Sequence, residues 1–251
     1  MALSPTSPTR QPAASEPAYR RLHRAFFAFC IILAPLLVSG WFALCPQYGD
    51  PTCPSSVNHL SVLVAYRAAN PLLLNIFLFL NLVIPYVYPL SYIGLGLVSM
   101  KRAPWLSTIG IACGFIGSIP WGVIADQSFL LNAMAHLGHD TLLATLEDIY
   151  FSRSPEAYVL AAGWVVGHLF GYVLLGIALA RARVIPQWAA WLIVASAPLM
   201  GPIAYGTGLG ILQVLGFVLV FIGSIPAALA MLKFRDEPAP IDVREPSIPT
   251  S

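Results

Sequence analysis

PLLLNIFLFLNLVIPYVYPLSYIGLGLVSM, residues 71–100, runs without an Asp, Glu, Lys or Arg and stops against Lys101-Arg102. A helix needs about 20 mainly apolar residues to cross a hydrocarbon core about 30 Å thick, because each residue rises about 1.5 Å. This stretch exceeds that length. Its Pro85 and Pro89 predict a kink, or a start outside the hydrocarbon. Five further apolar runs of spanning length lie near 25–45, 105–125, 157–180, 188–206 and 209–232, and none of the six contains a formal charge. The fold class this predicts is all-α, a polytopic bundle of six transmembrane helices.

The rest of the chain fits that reading. Of 251 residues 58% are hydrophobic and 10% charged, with a mean hydropathy of +0.76. Soluble domains carry about 25% charge, so a water-soluble fold is excluded. A net charge of +2 gives no basic face for nucleic acid. Residues 1–24 and 236–251, rich in Pro, Ser and Thr, are expected to be disordered tails. The membrane domain is 25–235, with two loops of substance at 46–70 and 126–156. The first apolar run is longer than the short core of a cleavable signal and is read as a retained helix.

The basic residues set the orientation. Arg10, Arg20, Arg21, Arg24, Lys101, Arg102, Arg181, Arg183, Lys233, Arg235 and Arg244 fall on one side of a six-span chain, and only Arg67 and Arg153 on the other. The positive-inside rule then puts both termini in the cytoplasm of a multi-pass cell-membrane protein. Trp41, Trp105, Trp121 and Trp188 sit near the ends of the predicted spans, where indole rings favour the interface.

Cys30 and Cys113 fall within spans and read as small buried hydrophobes. Cys45 and Cys53 flank a Pro/Gly loop on the outer side, where disulfides persist, and are expected to pair. Free thiols for redox exchange are the alternative. In the second outer loop Leu130, Leu131, Met134 and Leu137, then Leu142, Leu146, Ile149 and Tyr150, recur at helical spacing. That predicts amphipathic helices on the outer surface. His136, His139 and Asp140 share a helix face and are metal candidates, with His59 as a further nitrogen, although Gly138 interrupts the helix. No metal or other cofactor is assigned.

With no intramembrane carboxylate or base, coupling to protons or ions loses its usual carrier. Neutral polar groups and one histidine remain. Asn70, Asn81, Tyr88, Tyr92 and Ser99 lie within about 20° of one direction on an ideal helix. Such a stripe faces protein or water rather than lipid. It reads either as a cavity lining or as interhelical hydrogen bonding. His168 lies midway through the fourth span, with Trp164 and Tyr172 one turn to either side. Gly163, Gly167 and Gly171 form a small-residue seam that admits another helix. His168 is then a ligand contact or relay, or a neutral histidine bonded across the seam. The run Pro198-Leu199-Met200-Gly201-Pro202, followed by Gly206, Gly208 and Gly210, lies at the outer end of the fifth span and predicts either a broken helix or an ordinary tight turn.

Phe-Ile-Gly-Ser-Ile-Pro occurs at 115–120 and again at 221–226, which suggests two inverted three-helix halves. A second similarity, Tyr92–Trp105 with Tyr172–Trp188, pairs spans two and four instead. The segment from Gly167-His168 through Arg181 to Pro186-Gln187-Trp188 resembles a pattern in uncharacterised bacterial integral membrane families. There a glycine-rich span ends in a basic residue, followed by a short loop, a proline and the next span. The resemblance implies a six-helix protein of the bacterial inner membrane and carries no catalytic residues.

The function expected from the residues is binding or passage of a small neutral or lipid-like ligand, lined by His168, Asn81, Tyr88, Tyr92 and Tyr172. One alternative is a membrane-embedded enzyme acting on a lipid or isoprenoid. The other is a structural subunit that meets a helix-packing partner, or a second copy, through the glycine seam.

Overall fold

A computed structural model describes residues 17–44, 70–137, Thr145 and 155–233, apart from a few side chains within the helices. The described chain is helical. Six helices are long and apolar enough to cross a membrane: α1 (Ala18–Ala43), α2 (Pro71–Ser99), α3 (Pro104–Leu137), α4 (Pro155–Ala182), α5 (Gln187–Thr207) and α6 (Ile211–Lys233). Proline opens α2, α3 and α4, at positions where its missing N–H has no intrahelical partner to lose. The α4–α5 turn is tight. Arg183 adopts φ 51°, while Arg102 Nη1 and Gln187 Nε2 donate to the last carbonyls of α4, those of Ala182 (3.0 Å) and Ala180 (2.8 Å).

Prolines inside the helices do not end them. Pro85 and Pro89 stand within an unbroken α2 of 29 residues. At about 1.5 Å per residue that is roughly 43 Å, longer than the hydrocarbon is thick. The broken helix that the sequence allowed in the fifth span is absent as well. Helical winding continues through Pro198 and widens to a π-turn at Leu199–Ile203 before resuming at Ala204–Thr207. Pro202 has no N–H to give, and the Ala204 N–H reaches five residues back to the Leu199 carbonyl. The register change absorbs the proline. Gly208, at φ 69°, then stops the helix in the left-handed conformation.

The helices pack in chain order and α6 closes onto α1, making a ring. α2 also touches α4 and α6, so it leans toward the ring's axis. The closest crossing is α3 on α4. A Cβ on Gly167 would stand 2.5 Å from the Gly117 Cα, and one on Gly171 2.8 Å from the Gly114 Cα. The glycine seam is thus closed within the chain by α3. Outward, α2 shows Leu72, Phe79, Leu82 and Tyr86, and the other helices expose similar apolar residues. Six such helices suit contact with a lipid bilayer.

Several sequence expectations change. Trp105 and Trp188 are exposed, 80% and 55%, as interfacial residues should be. Trp41 and Trp121 are instead buried, 9% and 2%. Trp121 falls mid-helix because α3 runs on to Leu137, well beyond the predicted end near 125. Residues 126–137, expected to begin an amphipathic surface helix, are helical but continue α3. Asn70 stands exposed at the head of α2, off the buried stripe. The repeated hexapeptides seat differently. Gly117 meets α4 at Gly167 and His168, whereas Gly223 meets α5 at Ala189 and Ile193. Cys30 is buried, Cys113 is half-buried, and both are free. Cys45, Cys53, His59, His139 and Asp140, with the side chain of His136, lie outside the described residues.

Candidate functional site

The polar stripe of α2 and the His168 turn of α4 meet in one buried cluster. Asn81, Tyr88, Tyr92 and Tyr172 are wholly buried and His168 nearly so. They come together because α2 leans inward and the glycines make room. The Tyr92 ring lies over Gly114, and a Cβ on Gly171 would come within 3.0 Å of it.

Tyr88 is the hub. Its ring centroid is 5.2 Å from Tyr92, 5.7 Å from Trp164, 6.2 Å from Trp121, 6.3 Å from Tyr172 and 6.4 Å from Phe217. Trp121 bridges Trp164 (4.6 Å) and Trp41 (5.1 Å). Five of the six helices therefore place a ring in the cluster. Edge-on and tilted pairs predominate, as the ring quadrupole prefers. The His168 imidazole lies flat on Trp164, 4.2 Å between centroids at 24°, and nearly parallel to Phe217 at 6.4 Å.

The hydrogen bonds are specific. Trp41 Nε1 donates to Asn81 Oδ1 at 3.0 Å, tying α1 to α2. The Tyr92 hydroxyl lies 3.0 Å from the Tyr88 hydroxyl and 3.3 Å from the His168 carbonyl oxygen. A carbonyl only accepts, so when Tyr92 gives its proton there, Tyr88 donates to Tyr92. His168 Nδ1 contacts the Trp164 carbonyl one turn back. That fixes the proton on Nδ1 and leaves Nε2 of the neutral ring as a lone-pair acceptor.

Some polar atoms of this region have no hydrogen-bond partner: Asn81 Nδ2 and Trp121 Nε1 in the cluster, and Gln213 Oε1 nearby on α6, while the Tyr172 hydroxyl faces those of Tyr88 and Tyr92. Gln213 lies outside the polar stripe and the histidine turn that the sequence marks. It is buried, and its Nε2 donates at 3.3 Å to the Met200 carbonyl within the π-turn. A lone glutamine in an apolar span was the available signal. Trp121 reads from the sequence as an interfacial residue because the apolar run ends near 125, whereas α3 continues to Leu137 and carries it into the cluster. Ser99, the last member of the stripe, pairs with Ser107 Oγ at 2.7 Å, away from the rings. Chemically, the cluster offers N–H and O–H donors, one imidazole acceptor and broad ring faces. Among the described residues no group of three or more His, Cys, Asp or Glu is placed to hold a metal ion.

No known protein family, curated protein or solved structure shows significant similarity to this chain.

Proposed function

We propose that this multi-pass membrane protein binds a small, neutral, oxygen-bearing or lipid-like molecule within the bundle. His168, Asn81, Tyr88, Tyr92 and Tyr172 line the site. The observation that carries this reading is the pair of unpartnered donors in one ring cluster, Asn81 Nδ2 and Trp121 Nε1. A buried donor left unpaired costs about 1–3 kcal/mol. A carbonyl, ether or hydroxyl oxygen brought among these groups removes that penalty, while the ring faces take the apolar remainder. The rings touch one another, so access requires at least one to rotate aside. A formal charge has no partner here, which is why the ligand is neutral. The charge asymmetry of the sequence supports termini in the cytoplasm, with the connections α1–α2 and α3–α4 outside.

The test is mass spectrometry of small molecules that co-purify with the full-length chain in mild detergent. Wild type should carry a neutral organic species. Tyr172→Phe and His168→Ala should lose most of it while keeping a thermal midpoint close to wild type. If nothing co-purifies and the variants only lose stability, the cluster is packing and the reading fails.

A further inference from the structure

A groove of about 970 Å³ opens between the end of α4 and the start of α5. Its floor is apolar, with Ile177, Ala180 and Ile185, and its rim carries Arg181, Arg183, Gln187 and Trp191. Both arginines are exposed. Arg183 holds φ 51° in the left-handed region, which a residue with a Cβ adopts at a cost. Arg102, bonded to the Ala182 carbonyl, brings a third guanidinium to the same corner. The single carboxylate side chain among the described residues, Asp126, stands 22 positions along α3 from its first residue Pro104, roughly 33 Å away by helical rise. Like charges are gathered here without a described counter-charge.

The depth of the groove is marked by tryptophan. Trp105 and Trp188, exposed in the first turns of α3 and α5, lie at this same end of the bundle, and indoles settle at the headgroup level. Arg181 and Arg183 therefore meet phosphates, and Ile177 and Trp191 below them meet acyl chains. The charge, the apolar floor and the depth together fit one amphiphile better than a soluble ion. We propose that this groove binds an anionic phospholipid, its phosphate held by Arg181 and Arg183 and one acyl chain laid along Ile177 and Trp191.

Native mass spectrometry of the full-length chain, released from nanodiscs holding equal phosphatidylglycerol and phosphatidylcholine, reads the bound lipid. Wild type should retain one phosphatidylglycerol in preference to phosphatidylcholine. Arg181→Gln with Arg183→Gln should cut that preference about tenfold or more, the loss of two charges facing an anionic headgroup. Lys233→Gln, a basic residue at the end of α6, should leave it unchanged. Should the double variant not purify, each single variant is expected to show part of the same loss. Equal retention of the two lipids, undiminished retention in the arginine variants, or an equal loss in Lys233→Gln would each overturn the proposal. So would displacement of the bound species by millimolar inorganic phosphate, which would assign the groove to a soluble anion.

Discussion

The bond from Trp41 Nε1 to Asn81 Oδ1 joins two residues 40 positions apart, and removing one partner is not the same as removing both. Asn81→Leu strands a buried indole N–H and should cost about 1–3 kcal/mol in unfolding experiments. Trp41→Phe with Asn81→Leu should recover part of that, giving a coupling of about 0.5–2 kcal/mol, as for hydrogen bonds between membrane helices. A coupling near zero would mean that the pair is merely adjacent. Asn81, Tyr88, Tyr92, His168 and Tyr172 were legible as candidates because polar side chains in an apolar span must face inward. Which of them pair was not legible. Trp41 meets Asn81 only because α1 and α2 pack together, and nothing local in either segment encodes that.

Between α3 and α4 the glycines decide how near two helices come. Gly167→Ala drives a methyl into the Gly117 backbone, which has no side chain to swing away, and should destabilise by about 1–3 kcal/mol. Gly122, with nothing within 4 Å of its would-be Cβ, provides the contrast. Gly122→Ala should be neutral, or stabilising by up to about 1 kcal/mol through helix propensity. Urea or detergent unfolding of both variants makes the comparison, and equal effects would show that the crossing is looser than described. The seam was readable from its spacing; its partner was not, because another glycine-rich helix offers the same pattern. In α5, proline and glycine density pointed to a broken helix or a tight turn. Locally that inference was sound, but a π-turn offered a way to keep winding, with Gln213 taking up the Met200 carbonyl. Gln213→Leu removes that donor and should speed hydrogen exchange around Leu199–Ile203 relative to the rest of α5. Unchanged exchange would mean the π-turn holds itself.

For the molecule as a whole, six spans were plain in the sequence because apolar length answers directly to bilayer thickness. The order of helices around the ring was not, since every span carries enough apolar surface to pack on any other. Orientation is the property to measure. In a background lacking the four native cysteines, Ser55→Cys should react with an impermeant thiol reagent added outside intact cells. Ser4→Cys should react only after lysis. The reverse pattern would invert the proposed topology. Ser128, which falls within the predicted outer loop 126–156, is a poor label site because its side chain is buried in α3.

The closure of α6 on α1 has a bearing on biosynthesis. α1 is made before the other five helices, yet part of the face it buries packs against α6, with Phe42 stacked on Phe217 at 5.6 Å between centroids. Until the sixth span leaves the ribosome, α1 stands with that flank turned to lipid or held by the insertion machinery. A nascent chain stalled before residue 211 would present an open bundle, a form that membrane proteases and chaperones can distinguish from the finished one. Closure of α6 onto α1 thus acts as the latch of the ring.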